Sequence, residues 1–530
     1  MTAPTPESRQ PAPPPSPAAG RGRGNAVGVV VIIATLVAVG LRLYELGRPG
    51  YLSGVSEYDD GTDFGSAVRL IQGYLPYHDF TMVQPPGITL LMAPVALATK
   101  GMGTTVGMAV ARVLTALASA AAVPLAGLLT RHRGLTAVLV ACGLTAVFPD
   151  SLLGARTVLL EPWLVLFCLL GALAVFARDE VAVGWRRLAV AGCAFGFAGA
   201  VKVWAVLPVL VILALIARAP RRAAVFAAGV AVGFLTSVLP FALTAPGAFY
   251  RDVVVAQLVR SDIMRVPFGY RLQHMLGLSH LSTMPTPALV VIGLVVVAAI
   301  TATMVAGSRL THARPPALDW FAALSCLVVV VSFLWPADFY YHYTAFLVPF
   351  LALAIGLPAD RLLTGLRATS TRPRRAALLR RCAMATAALT LVTFAVLQGV
   401  AEGSEASQVS ATELNTVARL VPPGTCVFTD QVSYTIAINR FVSRVPGCSP
   451  MIDGVGTDYA LSGGRNGQNG AGREPAVQAL WLAGMRSAQF VWLTLQADRR
   501  VPWTPRILAY FHAHFVPLTV GPDWLYTRTR

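Results

Sequence analysis

Apolar runs separated by short polar connections dominate the chain. Runs near 27–43, 105–129, 135–149, 160–176, 188–201, 203–217, 223–243, 287–306, 318–335, 343–357 and 383–400 have the composition of lipid-embedded helices. They predict an α-helical polytopic membrane protein with about eleven transmembrane helices. Several runs fall short of the roughly 20 residues that an upright span needs, so packing must set their ends. The two runs flanking Lys202 depend on this most.

Basic residues then orient the connections, because Lys and Arg are retained on the cytoplasmic side. They gather at Arg131–Arg133, Arg178–Arg187, Arg218–Arg222, Arg309–Arg314 and, most heavily, Arg361–Arg381. Placing all five inside sends out the connections 44–104, 150–159, 244–286 and 336–342, a point near Lys202, and everything from about 401. A further apolar stretch, 87–99, would put Arg131 and Arg133 outside if it crossed. It is therefore predicted to be a short helix lying in, or dipping into, the outer face. Residues 1–25 are rich in Pro, Ala and Ser and are expected to form a disordered cytoplasmic tail. The span after it reads as a signal anchor. Residues 26–400 then form the membrane domain, with 44–104 as its first outer loop.

Composition agrees. The chain of 530 residues is 55% hydrophobic and 13% charged, where a soluble protein carries about 25% charged residues. A net charge of +17 would suggest nucleic acid for a soluble chain. Here the basic residues recur between apolar runs, so they read as topology and as contacts with anionic membrane lipid, not as a nucleic-acid surface.

Residues 401–530 read as a separate extracytoplasmic α/β domain. Short strands are expected at Thr425–Asp430, Phe490–Leu495 and Trp524–Thr527, with helices near 411–421, 475–487 and 505–515. The Gly- and Asn-rich stretch 454–474 is expected to be a flexible loop. Cys426 and Cys448 are the two cysteines of this domain, and an oxidising exterior favours a disulfide between them.

Polar chemistry clusters in the outward connections. Glu57, Asp59 and Asp60 lie just past the first span, at the membrane–water boundary. Adjacent carboxylates can share a divalent cation such as Mg or Mn, or hold different pKa values so that one serves as a base. The alternatives are a solvated acidic turn, or helix-capping aspartates before Phe64–Gln72. Lys202 interrupts a long apolar stretch; it either binds a phosphate or snorkels from a span end. Arg251, Arg260, Arg265, Arg271 and His274 lie outside, where topology does not explain them. They could hold a lipid phosphate, or form a solvated amphipathic surface. His342, in the run Tyr340–Tyr343, could bind a phosphate or an acceptor; the tyrosines read as an interfacial girdle. The chain has no P-loop, HExxH, CxxC or GxSxG motif.

The first outer loop carries an ordered set: Asp59-Asp60-Gly61, the helix Phe64–Gln72, Tyr77-His78-Asp79-Phe80 and Gln84-Pro85-Pro86. In order and spacing this resembles the GT-C glycosyltransferases of the protein O-mannosyltransferase and aminoarabinose-transferase type. It departs at Gln84, where that family often has lysine, and at Asp60, where glutamate is common. Glu161 at the outer start of a span and the Tyr341-His342 element extend the resemblance more weakly.

The resemblance implies a GT-C-like membrane domain and an inverting transfer from a polyprenyl-phosphate sugar donor. The acceptor would be a cell-envelope glycan, a lipid or a protein. It makes Asp59 the base, with Asp60 orienting it or helping to hold a cation. Lys202, Arg260, Arg265, Arg271 and His342 would hold the donor phosphate. Glu57, Tyr77, Asp79, Gln84 and Glu161 would contact substrate. On this reading Asp59, Lys202, His342 and the outer arginines should converge on one outward cavity. Two other readings stay open: a transporter or flippase of lipid-linked sugars, and a non-catalytic glycan-binding membrane protein.

Overall fold

The computed structural model describes residues 17–260, 265–279, 284–370, 373–403, 411–519 and 524–529. The expected disordered tail falls, for residues 1–16, outside the described residues. Among the described residues, seven helices are long and apolar enough to cross a membrane, including Asn25–Gly47, Gly87–Thr130, Pro220–Ala242 and Thr286–Thr311. Three shorter apolar helices, Leu135–Val147, Leu160–Val175 and Val203–Leu215, coincide with three of the short predicted runs. Trp185–Val201 accounts for the remaining one. The chain is a multi-pass membrane protein, and each of the eleven apolar runs is helical.

Small residues set the closest helix packing. Trp185–Val201 carries Gly192 and Gly196, and Pro220–Ala242 carries Gly229 and Gly233. A methyl group on Gly196 would lie 2.1 Å from the Val230 carbonyl oxygen, and one on Gly233 would lie 2.2 Å from that of Cys193. The backbones therefore touch, which in lipid replaces the hydrophobic drive that water would supply. The same helix ends against Gly87, whose added methyl would lie 2.4 Å from the Ala200 carbonyl oxygen. That contact brings the outer loop beside Lys202.

The helix Gly87–Thr130 is two helices meeting at Gly103, which has φ 81° and ψ 163°. An L side chain is strained there. Asn439 from the C-terminal domain caps the break, its Oδ1 accepting from the Thr104 amide at 2.9 Å. Residues 87–102 thus form an arm distinct from the span that follows. At the opposite end of the bundle, Arg133 pairs with Asp179 at 2.8 Å and Asp319 at 2.5 Å. Buried Asp319 would be costly without such partners.

In the C-terminal domain, β1 (Val427–Thr429) pairs in parallel with β2 (Phe490–Leu493). Strand β3 (Phe515–Thr519) is the far edge, and β4 (Trp524–Arg528) lies antiparallel between β2 and β3. Strand β3 was not expected. The helix Pro505–His514 stops one residue before it, where Val516-Pro517 cannot continue a helix. Residues 454–474 are not a flexible loop. They form the helix Gly454–Leu461 and a tight turn in which Asn469 donates its amide to Asn466 Oδ1 at 3.0 Å. Cys426 and Cys448 are joined by a disulfide, with their Cα atoms 5.6 Å apart.

Gly196→Leu should break the seam between its two helices. Overpacking costs about 1–3 kcal/mol where the backbone can shift, and more where it cannot. The expected result is a lower thermal midpoint of detergent-purified protein. An unchanged midpoint would remove the close-packing account.

Candidate active site

The site begins at the N-terminus of the helix Tyr58–Ile71. Glu57 is extended and caps it, its Oε1 accepting from the Tyr58 amide at 3.1 Å. Asp59 and Asp60 follow in the first turn, where the helix dipole favours negative charge. Successive helical residues diverge by roughly 100°, so the two carboxylates cannot share a direction. That divergence separates their roles.

Asp60 points inward and is fully buried. Its Oδ2 pairs with Arg112 Nε at 3.0 Å and also with Nη2, and its Oδ1 accepts from the Val158 amide at 2.8 Å. Arg112 spends its other donors on the carbonyls of Tyr51 (2.8 Å), Leu52 (2.8 Å) and Gly54 (2.9 Å). One ion pair thereby ties the outer loop, the long kinked helix and the 154–159 connection together. The C-terminal domain grips the same turn. Ser433 Oγ accepts from the Gly61 amide at 3.1 Å and donates to the Glu57 carbonyl at 3.0 Å. A methyl on Gly61 would lie 2.4 Å from Ser433 N, so only glycine fits. The Tyr58 hydroxyl donates to Asp453 Oδ1 at 2.9 Å.

Asp59 points the other way, into a cavity of about 330 Å³ between the membrane and C-terminal domains. Among the described residues, no other side chain hydrogen-bonds its carboxylate. Asp63, one turn on, lines the same cavity. Burial and the Asp59 charge push the Asp63 carboxyl well above the usual carboxylate range. Burial, then Asp59, also raises Glu57, which accepts from the Tyr341 hydroxyl at 3.1 Å.

Basic groups line the membrane side. Lys202 sits at the break between Val201 and the next helical turn, with φ −151° and ψ 130°. Its Nζ is 2.5 Å from Glu161 Oε1 and lies over the rings of Trp204 (3.8 Å) and Tyr343 (4.3 Å). His342 Nδ1 is 3.0 Å from Glu161 Oε2. Buried Glu161 thus holds both basic groups. Arg260 joins the cavity wall, paired with Asp338 at 2.5 Å and donating to the Tyr340 hydroxyl at 2.6 Å.

The structure therefore brings Asp59, Glu57, Gln84, Glu161, Lys202, Arg260 and His342 to one cavity. It does not bring Asp60, Tyr77, Asp79, Arg265 or Arg271 there. Asp60 is consumed by Arg112. Tyr77, at φ 68°, donates its hydroxyl to the Gln84 carbonyl at 2.7 Å and shapes the turn. Asp79 accepts from the Leu75 amide at 2.7 Å. Arg265 donates to the carbonyls of Leu334 and Trp335, and Arg271 to those of Phe333 and Ala337. Both arginines brace the 334–338 turn. Nor does the aspartate pair fit a shared divalent cation. Both Asp60 oxygens are engaged, and no group of three or more His, Cys, Asp or Glu among the described residues is arranged to hold a metal.

Sequence reasoning missed Arg112, although an arginine inside an apolar run signals a buried partner. It missed Asp63 as a site residue, although i and i+4 share a helix face. Asp453, Tyr459 and Arg500 line the cavity from the far domain and left no local signal.

Arg112→Gln should strand the Asp60 carboxylate and cost about 3–5 kcal/mol, read as a loss of folded yield and thermal midpoint. Wild-type stability would refute the clamp. Asp63 has its folded pKa above its unfolded value of about 4. Its stabilising contribution is therefore complete below that pH and is lost as pH rises through the raised value. In Asp63→Asn the thermal midpoint should depend less on pH above about 4; an unchanged slope would contradict this.

The family model of glycosyltransferase family 87 matches residues 83–334. No curated protein matches the chain. Among solved structures, ArnT from Cupriavidus metallidurans bound to undecaprenyl phosphate is similar at 15% identity and a TM-score of 0.60, covering 94% of this chain and 98% of ArnT. Its apo state gives 14% identity, a TM-score of 0.57, and coverage of 97% and 99%. The Archaeoglobus fulgidus oligosaccharyltransferase in complex with Zn and sulfate gives 13% identity and a TM-score of 0.51, covering 88% of this chain and 68% of that one. At these identities the structural likeness is one of fold, shared along nearly the whole chain with ArnT. A glycosyltransferase family model thus matches the centre of the chain, and around that centre the chain has the fold of ArnT.

Proposed function

We propose that the cavity transfers a sugar from a polyprenyl-phosphate donor to an acceptor hydroxyl on the outer face of the membrane. The N-terminus is then cytoplasmic and the domain 401–530 extracytoplasmic. The observation carrying this reading is the asymmetry around Asp59. A carboxylate with no side-chain hydrogen bond among the described residues faces a cavity whose membrane side bears Lys202, His342 and Arg260. The undecaprenyl phosphate of the ArnT complex supports a lipid phosphate as the leaving group.

Asp59 takes the acceptor proton as the hydroxyl oxygen attacks the anomeric carbon. The carbon–oxygen bond to phosphate breaks, and the bonding pair leaves with the polyprenyl phosphate. Attack from the face opposite the phosphate inverts the anomeric configuration. Lys202 and Arg260 stabilise the charge that develops on the phosphate, since fixed cations in a dry site need no reorganisation. Glu161 keeps Lys202 and His342 in place. Burial and the neighbouring Asp59 charge push the Asp63 carboxyl up, which favours its neutral form beside the base.

Asp59→Asn should lower transfer from a polyprenyl-phosphate sugar by about 10²–10⁴-fold. Asp63→Asn, which substitutes a neutral group of the same shape, should stay within about tenfold of wild type. The measurement is radiolabelled sugar transfer by purified protein in lipid nanodiscs. Full activity in Asp59→Asn would sink the assignment of the base.

A further inference from the structure

The two sides of the cavity differ in chemistry. The membrane side carries the full charges already described. The side supplied by the C-terminal domain carries, beside Asp453, Tyr459, Asn466 and Arg500, the carboxamides of Gln468 and Gln496 and the guanidinium of Arg499. These last three side chains are exposed, and none hydrogen-bonds another protein group among the described residues.

They stand on two braced turns. Ser462 Oγ donates to the Arg465 carbonyl at 2.8 Å, and the Ala471 amide donates to the Asn466 carbonyl at 2.9 Å. Gly464, at φ 90°, lies so close to the segment before Arg260 that a methyl there would be 2.0 Å from the Val259 carbonyl oxygen. Thr494 anchors the other turn by donating to Asp430 Oδ2 at 2.6 Å, and its Oγ1 accepts from the Gln496 amide at 3.2 Å. The turns touch, since a methyl on Gly467 would lie 2.7 Å from the Arg500 carbonyl oxygen. Their unpartnered side chains are therefore presented from fixed backbone, which lowers the cost of ordering them around a ligand.

A carboxamide offers donors and an acceptor together, and so does a sugar hydroxyl. A phosphate offers acceptors only, so it would engage the amide NH2 donors and leave the amide oxygens without a partner from it. An extended peptide would use a strand edge, yet none of the four strands of the C-terminal sheet lines this cavity. We infer that Gln468, Gln496 and Arg499 form the acceptor subsite, and that it takes a carbohydrate, with one sugar ring lying across the two turns. This rests on the reading of Asp59 as the base and adds the class of acceptor to it.

The test uses the full-length protein in nanodiscs, with short neutral oligosaccharides as the acceptor probe. Gln468→Ala/Gln496→Ala should raise the acceptor KM about tenfold or more, leaving the donor KM and the thermal midpoint unchanged. Arg499→Ala should act in the same direction. Oligosaccharide binding is also measured calorimetrically on Asp59→Asn, where turnover plays no part, and the double variant on that background should weaken it by a similar factor. An unchanged acceptor KM, a donor KM that rises with it, or transfer to peptides but not to oligosaccharides overturns the subsite. So does binding that is absent or insensitive to the double variant. Absent donor turnover in wild type, with oligosaccharide binding intact, counts instead against the reading of the reaction.

Discussion

The site depends on one buried ion pair. Asp60 and Arg112 are both fully buried, and neither could stay charged there without the other. Arg112 also gathers three carbonyls of the 51–54 turn, so it fixes backbone as well as charge. The helix that begins at Tyr58 is thereby held by its third residue facing inward. Helical geometry then obliges Asp59 to face the cavity. Asp59 is turned to the cavity because its neighbour is turned to Arg112.

A second constraint is the seam between the domains. The turn that presents Asp59 is bonded to Ser433, Gln431 and Asp453, and the kink at Gly103 is capped by Asn439. Further along the kinked helix, Thr105 donates to the Ala437 carbonyl at 2.8 Å. The C-terminal domain is thus a fixed wall of the cavity, docked at glycines that admit no side chain. The charged membrane side and the amide-bearing outer side meet across this seam.

Much of the fold was legible in the sequence because a membrane imposes a coarse code. Long apolar runs and basic connections are read by length and sign alone, and every predicted run is a helix. The acidic loop was legible as an ordered set of motifs. The division of labour between Asp59 and Asp60 was less legible, because it turns on Arg112, more than fifty residues away in sequence. Arg265 and Arg271 looked like phosphate ligands because their charge was visible and their carbonyl partners were not. The outer wall around Asp453 and Gln468 carried no motif. Its residues acquire meaning only from the loop they face, which the linear chain does not adjoin.

The grip of Ser433 on Gly61 bears on how such enzymes diversify. The two residues are 372 positions apart in sequence, yet each is shaped to the other at backbone contact. The C-terminal domain is therefore not an interchangeable module. A graft from a relative would have to carry the matching first outer loop with it, or the turn bearing Asp59 would lose its seat. The wall that carries Gln468 and the placement of Asp59 are, in this architecture, inherited together.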